Sequence, residues 1–135
     1  MGKSNTLRSN LYKNIGKLMY ALARIDGSIH TNEVDHLRSY VRSYWLHIDD
    51  IEDDHGLNAA FKIEATFDGL LENRTEPEIC FQEFSKFYKE NSEAFSPEIK
   101  RLILDTANAM AKSYAKKNKA ELILLSKIEI LFLDI

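Results

Sequence analysis

Apolar residues recur along most of this chain at steps of three and four, the period that lines one face of an α-helix. Leu7, Leu11, Ile15, Leu18, Leu22 and Ile25 form the first such stripe, ended by Gly27. Val34, Leu37, Val41, Tyr44 or Trp45, and Ile48 form the second. Leu57, Ala60, Phe61, Phe67, Leu70 and Leu71 predict a third helix, and Cys80, Phe81, Phe84, Phe87 and Tyr88 a fourth. Ile99, Leu102, Ile103, Thr106, Met110 and Tyr114 predict a fifth, and a sixth starts near Lys119. In that last segment nine of the twelve residues from Leu122 to Leu133 are large and apolar, too many for a one-sided stripe. Such a helix is either covered on most faces or carries an exposed side into a partner. The expectation is a central helix, with Lys127 and Glu129 outward and Leu124 and Leu131 covered. Homodimerisation through this C-terminal helix is the alternative use of so much apolar surface.

Helix-start signals fall at the same boundaries. Ser96-Pro97 places a capping hydroxyl before a proline at the first helical position. Thr75 with Glu78 reads as a capping box around Pro77, and Asn118 with Glu121 as the same device with asparagine. The breaks are short and no Pro-, Gly- or Ser-rich linker divides the chain. The reading is therefore all-α: one domain over residues 1–135, with about six helices.

One segment is used twice. Ala21-Leu-Ala-Arg-Ile-Asp-Gly-Ser-Ile-His-Thr-Asn-Glu33 returns in degenerate form as Ala109-Met-Ala-Lys-Ser-Tyr-Ala-Lys-Lys-Asn-Lys-Ala-Glu121. Ala21, Ala23 and Glu33 match Ala109, Ala111 and Glu121 at identical spacing, so two pseudo-repeated helical units are expected. The pattern Ala-x-Ala-x-x-Asp-Gly followed by a glutamate in the next helix resembles the tellurite-resistance TerB family. The same domain forms the N-terminal part of DjlA-type co-chaperones. That resemblance implies a cytoplasmic binding or scaffold domain in stress or metal resistance, with acidic residues at the helix breaks holding a divalent metal. Asp26 and Glu33 occupy the matching positions here; in the second half Tyr114 and Ala115 replace Asp-Gly and only Glu121 remains. The His-Pro-Asp tripeptide of a J-domain does not occur.

Composition narrows the function classes. A net charge of −3 gives no basic excess of the kind nucleic acid requires. Two prolines and five glycines are few for an all-β fold. The single cysteine, Cys80, excludes an intrachain disulfide and a multi-cysteine zinc site. No apolar run follows the opening Met-Gly-Lys-Ser, and Ser126, Lys127 and Glu129 interrupt an apolar C-terminal segment too short to span a bilayer. A cytoplasmic protein without a transmembrane segment is expected. Gly2 with Thr6 fits a myristoylation pattern and Asn73-Arg-Thr75 a glycosylation sequon, both patterns short enough to arise by chance.

Among candidate sites Asp26 and Glu33 come first, since an Asp ending one helix and a Glu opening the next can converge across Gly27 on Ca²⁺, Mg²⁺ or Mn²⁺. The alternative is a first-turn glutamate answering the helix dipole. The run His47-Ile-Asp-Asp-Ile-Glu-Asp-Asp-His55 packs five carboxylates into six residues, and reads as an exposed, highly charged connection unless a cation relieves the repulsion. Glu33-x-x-His36 and Glu52-x-x-His55 carry the spacing of di-iron carboxylate bundles, but such a site needs two further glutamates and Glu64 is the only obvious interior candidate; two chance matches explain the pair better. Cys80 sits on an aromatic-rich face and reads as buried and inert. Lys112, Lys116, Lys117 and Lys119 flank the second break, where a helix C-terminus favours cations or an acidic partner docks. Phe61, Phe67, Phe84, Phe87, Tyr88 and Phe95 are at core spacing. With no phosphate-cradling glycine loop, no His-Glu-x-x-His and no hydrolase elbow, a non-enzymatic domain with protein partners is expected.

Overall fold

A computed structural model of the chain describes residues 2–25, 31–45, 59–112 and 119–133. Among them are six α-helices and no strand: α1 (Gly2–Arg24), α2 (Thr31–Tyr44), α3 (Ala59–Glu72), α4 (Pro77–Glu90), α5 (Pro97–Lys112) and α6 (Lys119–Leu133). A short 3₁₀ turn, Ser92–Ala94, joins α4 to α5. The fold is all-α, as the spacing predicts, and the helix boundaries lie close to those the stripes and caps mark.

The central helix is α1, which corrects the expectation for α6. Its side chains from Leu18 to Ala23 are all buried, at 1% exposure or less. It packs chiefly against α3 and α4, with α5, α6 and α2 completing the enclosure. Periodicity understates this because the residues off the main stripe are Met19, Tyr20, Ala21 and Ala23, of which only Met19 is large and aliphatic. The alanines let neighbours approach, and the tyrosine buries its ring while its hydroxyl finds partners. The Tyr20 hydroxyl donates to the Thr75 carbonyl at 2.5 Å and accepts from Arg24 Nη1 at 2.9 Å. By contrast α6 packs mainly on α5 and less on α1.

Chain ends of the helices show how local chemistry sets the path. Past the end of α3, Arg74 adopts φ +51°, its N–H bonds Leu71 O, and the Thr75 N–H bonds Leu70 O. This is the paired bonding of a Schellman stop, here with Arg where glycine is usual. Thr75 thus belongs to the end of α3 and not to a capping box: the cap of α4 is Glu76, which makes no side-chain cap bond, with Pro77 opening the helix. Ser96 does cap α5, its Oγ accepting from the Ile99 N–H at 3.2 Å.

Between α2 and α5 the contact closes over Trp45, not Tyr44, which is 54% exposed. The fully buried Trp45 donates Nε1–H to Thr106 Oγ1 at 3.0 Å, and Thr106 donates onward to Leu102 O at 2.7 Å. Phe61 is likewise 54% exposed and outside the core predicted for it. Phe67, Phe84, Tyr88 and Phe95 are buried as expected. Phe95 stands edge-on to Tyr88 with ring centroids 4.8 Å apart, and Phe132 of α6 joins them at 5.2 Å from Tyr88.

The two halves share more than the motif. Arg24 and Lys112 close helices, and Thr31 and Lys119 open them, at the spacing that separates Ala21 from Ala109. Burial keeps the same register along α1 and α5: Leu11 with Ile99, Ile15 with Ile103, Leu18 with Thr106, and Leu22 with Met110 are all buried. Correspondence fades in the second helices, where Leu37 and Leu125 are both buried but Val41 is buried and Glu129 exposed.

Two glycines give opposite forecasts. A Cβ on Gly16 would lie 2.8 Å from Thr66 Cβ and 2.9 Å from Ile63 O, so α1 touches α3 through a position only glycine fills. A Cβ on Gly69 meets nothing within 4 Å. In urea unfolding, Gly16→Ala is expected to cost about 1–3 kcal/mol by overpacking. Gly69→Ala should stabilise by about 0.5–1 kcal/mol through helix propensity. Equal effects at the two sites would contradict the close approach of α1 and α3.

Candidate functional site

The residues predicted to hold metal are only partly within view. Asp26 lies outside the described residues, and Glu33 lies in the first turn of α2 with its side chain outside them. The acidic run and Glu52-x-x-His55 also fall outside, as do Lys116 and Lys117. His36 is exposed on α2. Among the described residues no three His, Cys, Asp or Glu side chains converge as metal ligands do. Glu121, the counterpart of Glu33, is 4% exposed. A carboxyl group so enclosed needs partners, and the helix dipole at an exposed first turn does not describe it.

Glu64, the interior candidate for di-iron chemistry, is taken up by arginines. Arg38 Nη1 lies 3.3 Å from Glu64 Oε1, and Arg42 Nε lies 3.1 Å from Glu64 Oε2. Arg38 also holds Asp68 by both terminal nitrogens, Nη2 to Oδ1 at 2.5 Å and Nη1 to Oδ2 at 3.3 Å. The Asp68 hydrogen bond, opposed by burial and aided by Glu64, raises the Arg38 pKa above its usual value. Sequence reasoning missed this cluster although its signal is present: Arg38 and Arg42 are four apart on α2, and Glu64 and Asp68 four apart on α3. With Arg42 at 68% exposure and Asp68 at 48%, such pairs are worth about 0.2–1 kcal/mol each, and they align α2 with α3 more than they stabilise it.

Cys80 is buried against the core, and burial pushes its thiol up, with Glu83 adding to the shift and Lys17 opposing it. A thiol held in its protonated form is a poor nucleophile, which agrees with the inert reading.

The feature that stands out is on α6. Glu121, Leu124, Leu125 and Ile128 are buried, and Phe132 anchors the C-terminal turn in the aromatic cluster. On the other side Leu122, Ile123, Ile130 and Leu133 are 42%, 48%, 67% and 63% exposed. Lys127 and Glu129 are exposed too, as expected, with Leu131 partly covered. Beside this strip an open groove of about 490 Å³ runs between α5 and α6, with Pro97, Leu104, Phe132 and Leu133 as its apolar part. Lys100 and Arg101 border it on α5, and Asp105 and Glu129 supply the opposite charge. Lys100 Nζ stands 5.5 Å from the Tyr88 ring centre and 5.9 Å from that of Phe132, a cation over two aromatic faces.

Fold and surface together define an all-helical domain with apolar residues exposed along the outer side of its last helix; no described helix is long and apolar enough to cross a membrane. Comparison with protein-family models, curated proteins and solved structures gives no match.

Proposed function

We propose that this chain is a non-enzymatic, cytoplasmic interaction domain of the TerB-like kind that docks a protein partner through the outward face of α6. The observation that carries the reading is the exposure of Leu122, Ile123, Ile130 and Leu133 on a helix already anchored by its other side. Apolar surface left in water forfeits about 25 cal/mol per Å². Large apolar residues aligned along one side of a helix beside a groove mark a docking surface, whereas scattered apolar residues carry no such meaning. The TerB resemblance adds a role in stress or metal resistance.

The same resemblance supplies a second element, a divalent cation (Ca²⁺, Mg²⁺ or Mn²⁺) held by Asp26 and Glu33. A cation shared by Asp26 and Glu33 would tie the segment after α1 to the first turn of α2 and bias the arrangement of the two helices.

Unfolding measured at low protein concentration tests the docking face. Ile128→Ser should cost about 3–5 kcal/mol, through lost packing and a buried hydroxyl. Ile130→Ser, two residues away on the other side, should stay within about 0.5 kcal/mol of the wild type. Comparable losses would make the outer side of α6 part of the core and end the reading.

For the cation, chelator-treated protein is melted with Ca²⁺, Mg²⁺ or Mn²⁺ added singly, beside Asp26→Asn. A cation at a hundredfold its dissociation constant should stabilise by about 2.7 kcal/mol, and the variant should lose that response. No shift with any cation, or an equal shift in the variant, removes the metal from the proposal.

A further inference from the structure

We infer that the occupant of the α6 face is a second copy of this chain, docked antiparallel across a two-fold axis near Ser126. The inference rests on the docking reading above and names its partner. Lys119, Ile123, Ser126, Ile130 and Leu133 follow one another at steps of four, three, four and three. That is the 3.5-residue repeat of a two-helix seam. All five are exposed, on the side of α6 opposite Glu121, Leu125 and Ile128.

The seam is close to symmetric about Ser126, with Ile123 and Ile130 flanking it and Lys119 and Leu133 beyond them. A patch of that form is complementary to itself across a two-fold axis. Ile123 of each copy packs near Ile130 of the other, and the small Ser126 side chains allow close approach at the centre. Charge fixes the direction. A parallel, in-register pair stacks Lys119 against Lys119 within the seam. The antiparallel pair sets each lysine beside Leu133 of the other copy and holds the two ammonium groups roughly 20 Å apart, from a rise of about 1.5 Å per residue. It also brings Leu122 of the second copy level with Glu129 and Leu133, at the mouth of the α5–α6 groove, so the groove and the strip are covered together.

Size sets the strength. A helix of this length spans roughly 22 Å and is about 10–12 Å across, so each copy offers a few hundred Å². That is below the ~800 Å² per partner of a standard interface. The dimer is therefore concentration-dependent, with a dissociation constant in the micromolar range.

Sedimentation equilibrium of the full chain over about 5–500 µM brackets that range. The expected result is a monomer–dimer equilibrium that Ile130→Glu abolishes with helicity unchanged. Under mild oxidation Ser126→Cys should form a disulfide-linked dimer and Lys119→Cys should not, the native Cys80 being buried and silent. If Ile130→Glu loses helicity, this cysteine pair alone carries the test. A wild-type chain that stays monomeric throughout, or Lys119→Cys that cross-links as readily as Ser126→Cys, overturns the inference. In a monomer, a Ser126→Cys thiol open to an aqueous reagent leaves the docking reading standing without its second copy. An unreactive one shows the face covered within the chain and removes both.

Discussion

The enclosure of α1 is the constraint from which the rest of this structure follows. A helix with no solvent face from Leu18 to Ala23 has to be wrapped, and five other helices are spent on wrapping it. Gly16 brings α3 close enough for its backbone carbonyl at Ile63 to face the α1 backbone. The Tyr20 hydroxyl reaches the turn between α3 and α4, so the one polar group on the buried side of this segment is bonded to the chain that covers it. Once α1 is surrounded, the last helix has only one side left to give to the core. The outward apolar strip of α6 is a consequence of that arrangement, and its exposure is what gives the molecule a surface to use.

The same constraint explains what was legible in the sequence. Helix positions were legible because period and caps are local: Ser96 caps α5 as its sequence indicates, and the breaks fall where the repeated motif places them. The rank of the helices was not legible. Counting large aliphatic residues favours α6 as the centre, but centrality depends on how closely neighbours approach, and Gly16, Ala21 and Ala23 secure that for α1 by being small. Thr75 was misread for a related reason, since its role at the end of α3 depends on the left-handed turn at Arg74, a residue type that gives no warning of it.

The candidate site divides in the same way. The outer strip of α6 was visible as an excess of apolar residues, while which of them face outward was decided by packing on α5 and α1. The Arg38, Arg42, Glu64 and Asp68 cluster was written as two four-residue spacings on separate helices. Nothing local says that α2 and α3 lie side by side, so the pairing needed the fold. It also makes Glu64, the interior candidate for di-iron chemistry, a partner of two arginines.

Hydrogen exchange read by mass spectrometry on the dilute, monomeric chain tests the arrangement most directly. Amides slow to exchange only when the helix holding them opens rarely, and the slowest report global unfolding. Peptides covering Leu11 to Ala23 of α1 should exchange only with global unfolding, while those of α6 open earlier and at lower cost. Peptides of α6 protected as strongly as those of α1 would contradict it, placing α6 at the centre and leaving no free face for a partner.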